Sequence, residues 1–334
     1  MGRIKTHNVK RMLSILLTLC MMLTLIPALP VHAETNPGTT SVIINGQTLN
    51  ATNGYLVYGE AKMNAVLGAA GCTAYFDGNG TLTLYGYTGS RIRVSESNRD
   101  LTIILMGNKN TITENGSGEK IGISLHSGNL HINAVNAARL TMNLFSNDNN
   151  AKGIEAKDIS ISGYADITMN VETTSTNASQ GYYGVGIKAL GTVSINDAAF
   201  FTAICKKKSG GDGLNGGPGI HAPGGVSINT TGDINIDASQ GGTYNYAIHS
   251  MSSNSLTNVG TMTLKWKGSI HSYGFHVGGP IYPLNSFDGT VENFAINIDR
   301  ENCLATYRKG TPYTVNITNG STNNLSKAQY LAGD

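Results

Sequence analysis

Charge is scarce in this 334-residue chain, with Asp, Glu, Lys and Arg together making up 13% of it. Such a composition carries neither the basic patch that holds nucleic acid nor the high net charge of a disordered segment. Helical patterning is missing as well. Beyond residue 33 no stretch repeats apolar residues at three- and four-residue steps over a useful length, which excludes a helical fold. Cysteine is sparse: Cys72, Cys205 and Cys303 follow the first 33 residues, at separations far too wide for a CxxC redox or zinc motif. Isolated buried thiols are the expected state, with a single disulfide the alternative that an exported protein allows.

The one long apolar run stands at the start. Arg3, Lys5, Lys10 and Arg11 precede Met12 to Leu29, and Val31-His32-Ala33 supplies small residues for cleavage. Residues 1–33 therefore read as a signal peptide, the run being too promptly followed by a cleavage site to anchor the chain. Four of the 23 basic and none of the 21 acidic residues lie in it, leaving 19 basic against 21 acidic, a net of about −2. The formal +2 of the whole chain is thus a property of the leader. The expectation is a protein released to the outside, or held at a surface, with no membrane insertion after processing and no nucleic-acid partner.

What is abundant is glycine, 42 residues, and part of it recurs at intervals. Gly122-Ile123, Gly153-Ile154, Gly186-Ile187, Gly219-Ile220, Ala247-Ile248 and Gly274-Phe275 are separated by 31, 33, 33, 28 and 27 residues. Between these steps the chain alternates apolar residues with Ser, Thr, Asn or Asp, as in Asp158-Ile159-Ser160-Ile161 and Ala165-Asp166-Ile167-Thr168-Met169-Asn170-Val171. Alternation with period 2 marks strands with one buried face. A fixed period near 30 residues marks a solenoid, because one three-strand unit cannot bury its own inner face and must stack on the next.

Three apolar ladders follow: Ile154, Ile187, Ile220 and Ile248; then Ile159-Ile161, Val193-Ile195 and Val226-Ile228; then Ile167-Met169-Val171 with Ile234-Ile236. Glycine at the step fits a tight corner with positive φ. The unit length suits an all-β, right-handed parallel β-helix with three sheets. The organisation expected is a linker over 34–41, an N-terminal β cap and first coil over 42–100, regular coils over 101–277, and irregular coils with a cap over 278–334. Turns fall at Asn45-Gly46 and Asp77-Gly78-Asn79-Gly80.

Chemistry is thinly spread on this frame. The position after each step's Ile reads Ser124, Glu155, Lys188, His221, His249 and His276, an outward row if the Ile points in. Three histidines in consecutive coils offer imidazole donors to a transition metal, or simply line an exposed face. Glu155 beside Asp158 could join a calcium site; no cofactor is expected, with calcium as the alternative. Tyr182, Tyr183, Tyr244, Tyr246 and Tyr273 gather in the later repeats and their loops. Rings of this kind give a sugar a flat apolar face, with amides and hydroxyls for its OH groups. No cluster of acids on one face, as a lyase needs, is visible. The glycine-rich run 210–217 lacks the Lys-Ser/Thr of a phosphate loop and reads as a loop.

Units such as GIEAKDISISGYADITMNV and GPGIHAPGGVSINTTGDINIDA, led by GTLTLYGYTGS and LTIILMGNKNTIT, resemble secreted right-handed β-helix proteins of Gram-positive bacteria. That family is grouped as carbohydrate-binding-domain proteins, sometimes with calcium, akin in shape to pectate lyases. The likeness covers roughly residues 73–277. It implies a β-helix and carbohydrate binding, while none of the family's calcium-binding acids has a matching position here.

Two functions are carried forward: a non-catalytic, secreted or surface-associated protein, monomeric, that binds polysaccharide or acts as an adhesin; and a polysaccharide lyase or hydrolase using Glu155 and Asp158.

Overall fold

The computed structural model describes residues 36–148, 150–174, 184–207, 217–240 and 246–252, and the strands Asn254–Thr257, Thr261–Trp266, Tyr273–Val277, Phe287–Thr290, Ala295–Ile298 and Val315–Thr318. Side chains are described through residue 252, apart from 239 and 240. The expected leader lies outside the described residues. The described residues are all-β with no helix, and successive coils stack in parallel register: the chain is a β-solenoid.

Each coil contributes to three faces. On the first, Ile92–Val94, Lys120–Leu125, Ala151–Ala156, Val185–Ala189, Ile220–Ala222, Tyr246–Ser250 and Tyr273–Val277 pair in that order. Its inner row runs Ile123, Ile154, Ile187, Ile220 and Ile248, each the Cα partner of the next, and Phe275 is the Cα partner of Ile248. The second face aligns Ile159 and Ile161 with Val193 and Ile195, then with Val226 and Ile228. On the third, Ile167 and Met169 lie beside Phe201 and Ala203, and these beside Ile234 and Ile236. All three expected ladders are present. The sequence reading had left out the Phe201-Ala203-Cys205 rung, which sits between the third ladder's two groups.

Long strands turn the corner between the second and third faces. Leu130–Ser146 pairs along its length with Ile159–Thr173, with a register shift between Ala134 and Ala138. At the matching bend Gly163 has φ +68°, and its N–H donates to Asp197 Oδ2 at 3.0 Å. The core inside is continuous. Ile154, Ile187, Ile220 and Ile248 are all completely buried, each worth about 1.5–3 kcal/mol over exposure.

The glycines of the recurring step do not serve the purpose the sequence suggested. None of Gly122, Gly153, Gly186 or Gly219 has a positive φ. Space explains them instead. A Cβ on Gly122 would stand 2.8 Å from Gly153 O and 2.9 Å from Met142 Sδ. One on Gly153 would stand 2.5 Å from Met169 Sδ and press on Gly186 O. Gly186 and Gly219 meet Ala203 and Ile236 in the same way. The step lets the first face close against the third.

Before residue 95 the pairing differs. Ser41–Ile44 and Gln47–Asn50 form an antiparallel hairpin. Its turn is Asn45-Gly46, at φ +50° and +76°, as a two-residue hairpin turn requires. Tyr55–Val57, Glu60–Lys62, Cys72–Phe76 and Thr81–Tyr85 follow in antiparallel order, and Thr81–Tyr85 then pairs in parallel with Leu101–Met106. The described part of the expected linker is tied down. Thr39 N donates to Asp100 O at 2.9 Å, and the Glu96 carboxylate accepts from Thr39 Oγ1, Thr40 Oγ1 and Ser41 N. Those bonds outweigh the effect of burial and hold the Glu96 carboxyl below its ordinary range.

Candidate functional site

Parallel register brings residues about thirty positions apart side by side, so the outer rows are where a site can be built. On the first face the row runs Arg93, Ser124, Glu155, Lys188, His221, His249 and His276. A shallow groove of about 440 Å³ lies across its early rungs, lined by Arg93, Ser95, Ser124, His126, Glu155 and Leu190 among others.

Glu155 sits in a chain of ion pairs. Its Oε1 is 2.8 Å from Lys188 Nζ on the next rung, and its Oε2 is 3.0 Å from Lys152 Nζ, which also meets Glu119 Oε1 at 2.7 Å. Burial alone would raise the Glu155 pKa, but the bonds from Lys188 and Lys152 outweigh it and hold the carboxyl below its ordinary value. Desolvation would lower the pKa of the nearly buried Lys152, but its bonds to Glu119 and Glu155 outweigh that and keep it charged, above its ordinary value. Asp158 has a separate task. Its Oδ1 accepts from Thr192 N at 2.6 Å and from Thr192 Oγ1 at 2.8 Å, closing a turn between rungs. The two acids proposed for calcium are thus engaged by different partners. Among the described residues, no three His, Cys, Asp or Glu side chains converge as metal ligands do.

The histidines do meet. His221 Nδ1 lies 2.9 Å from His249 Nδ1, with the ring centroids 4.9 Å apart. Tyr246 stacks on His249, centroids 4.8 Å apart and planes at 19°. The row is consequently less outward than its alternation implied, for His249 is only 7% exposed. Burial, helped by the charge of Lys188, pushes the His221 pKa down to about 4, so the ring is neutral at pH 7. His276 is the Cα partner of His249, and its side chain lies outside the described residues.

Of the five tyrosines, Tyr182, Tyr183 and Tyr244 lie outside the described residues, as does most of the glycine-rich loop. Tyr246 is half-buried against His249, and Tyr273 is its Cα partner on the next rung, with a side chain outside the description. The expectation of isolated thiols agrees with Cys72 and Cys205, both free and buried; burial pushes the Cys205 thiol up to about 12.

A second groove, of about 230 Å³, was not anticipated. It lies on the third face, where Asn115, Asn143, Phe145, Asn170, Glu172 and Lys206 line it. Asn170 Nδ2 donates to Asn143 Oδ1 on the previous rung at 2.8 Å, an amide pair flanked in register by Thr113 and Ile204. Asn115, Phe145, Glu172 and Lys206 form the parallel row beside it. Its sequence signal was present in Thr168-Met169-Asn170 and Thr141-Met142-Asn143, polar positions of alternating strands at matching register. Exposed rings also stand earlier in the chain, Tyr58 at 80% and Tyr85 at 43%.

Compared with known proteins, the chain matches no protein-family model, no curated protein and no solved structure.

Proposed function

We propose that this chain is a secreted or surface-associated, non-catalytic β-solenoid that binds polysaccharide across its rungs, in the manner of an adhesin, as a monomer. The observation that carries this reading is the third-face groove, where the Asn143–Asn170 amide pair lies beside the Phe145 ring. Rungs advance by about 4.8 Å, close to the length of one sugar unit in an extended chain. Two amides one rung apart match hydroxyls on successive sugars, and the ring offers an apolar face. Lys206 and Glu172 at the edge add charged donors and acceptors. The loop tyrosines Tyr182 and Tyr183 extend this proposal beyond the described residues.

Lyase or hydrolase action at Glu155 and Asp158 has less support. A general acid must hold a proton near neutral pH, whereas Glu155 is kept ionised between two lysines. Calcium at this place would have to displace both ammonium groups. The test is a glycan array with pull-down on insoluble polysaccharides, run on the wild type, N143A/N170A, F145A and Y182A/Y183A. Retention by the wild type and loss in N143A/N170A are expected, while absence of retention on every glycan overturns the reading. Release of unsaturated uronide, with or without calcium, would favour the lyase instead.

A further inference from the structure

We propose that His221 and His249 form a two-imidazole chelate for a divalent transition metal of tetragonal preference, copper(II) above nickel(II). This inference does not depend on the polysaccharide reading. It starts from the nitrogens: Nδ1 of His221 and Nδ1 of His249, on adjacent rungs, stand 2.9 Å apart. That is the spacing of an ordinary hydrogen bond between imidazoles, and it shows that two nitrogen donors on adjacent rungs lie close enough to reach one ion. Imidazole nitrogens suit copper(II) and nickel(II), and affinity rises from nickel to copper and falls again at zinc.

The surroundings favour this. Without metal, the two nitrogens share one proton, so the rings are in opposite tautomers and both cannot be charged. Bound metal takes the place of that proton. The ring that carried it on Nδ1 takes up a proton at Nε2 instead, and rotation of the side chains swings the two Nδ1 lone pairs off the line between them toward a common point, most of the turn falling to the more open His221. Tyr246, stacked on His249, limits how far that ring turns. Repulsion from the neighbouring Lys188 is blunted, since its Nζ is bonded to Glu155 Oε1 at 2.8 Å. Remaining coordination positions fall to water, and the next rung carries His276 in register.

The experiment titrates the leader-free, untagged protein with copper(II) sulfate, nickel(II) chloride, zinc(II) chloride and calcium(II) chloride. Calorimetry gives affinity and stoichiometry, and electron paramagnetic resonance reads the copper. One copper(II) per chain is expected, with hyperfine coupling to imidazole nitrogen, and no calorimetric response to calcium at the same concentrations. H221N and H249N should each weaken copper at least tenfold, and H126A, which changes an exposed histidine outside the pair, should not. His249 is buried, so H221N, at the more open ring, is the deciding variant, with β-sheet circular dichroism as the folding control. Copper binding that H221N leaves intact overturns the proposal. So does zinc binding tighter than copper, or no saturable copper binding in the wild type.

Discussion

Replacing Gly153 with alanine tests the physical reason for the recurring glycine. Elsewhere such a change stabilises by about 0.4–1 kcal/mol, because it narrows the unfolded ensemble. Here the new methyl would stand 2.5 Å from Met169 Sδ and even nearer Gly186 O. Carbon atoms prefer about 3.5–4.0 Å, and forcing a methyl into a filled core costs about 1–3 kcal/mol. Met169 can give way, but Gly186 O belongs to the neighbouring rung and moves only with its ladder. The net expectation is a loss of about 1–2 kcal/mol, read from urea denaturation followed by circular dichroism. Combining G153A with M169A should relieve the part of the cost due to sulfur and leave the part due to Gly186 O, giving a measurable coupling. A neutral or stabilising G153A, or strict additivity with M169A, would refute the steric account.

Further outcomes follow from the ion pairs and the polar anchors. Because Glu155 is held below its ordinary pKa, its contribution is complete above the unfolded value of about 4.3 and is lost as pH falls through the folded one. E155Q should therefore flatten the acid limb of a stability–pH curve. At neutral pH it should cost about 1–3 kcal/mol, since Lys152 is nearly buried and keeps only Glu119 as a carboxylate partner. E96A removes the carboxylate that ties down Thr39, Thr40 and Ser41, and hydrogen exchange should speed up over residues 39–44 while the later coils stay protected. N110A should be the costliest of these, about 2–4 kcal/mol by thermal or urea denaturation. Asn110 is fully buried, accepts from Tyr87 N at 3.0 Å, and donates to the carbonyls of Met106 and Arg139 at 3.1 Å each. Chelating calcium from the protein should leave the melting temperature unchanged, with Glu155 occupied by lysines and Asp158 by Thr192.

The ladders were legible in the sequence because Ile, Val and Met alternate with Ser, Thr and Asn, and because the glycine step supplies a ruler. The Phe201-Ala203-Cys205 rung was missed since its side chains look unlike Ile and Met, although register places them in the same row. The role of the glycines was misread for a different reason. Their constraint comes from Met142, Met169, Ala203 and Ile236 on another face, contacts that linear inspection cannot supply. The row Ser124, Glu155, Lys188, His221, His249 was written out correctly, yet the Glu155–Lys188 pairing implied by its order was not drawn from it. The Asn143–Asn170 pair was hidden by ordinary surface polarity: a single asparagine in a strand means little until its neighbour one coil away is known.

Because each rung pairs only with the one before and the one after, the two kinds of length change have opposite fates. A duplicated or deleted full turn would reseat every ladder and alter only the reach of the outer faces. A slip of one residue within a strand would swing Glu155 and Lys188 into the apolar interior and Ile154 and Ile187 out to water. Such a chain can thus be lengthened or shortened in whole turns, while a single-residue indel within a strand must be absorbed locally, as the register shift between Ile204 and Lys206 is.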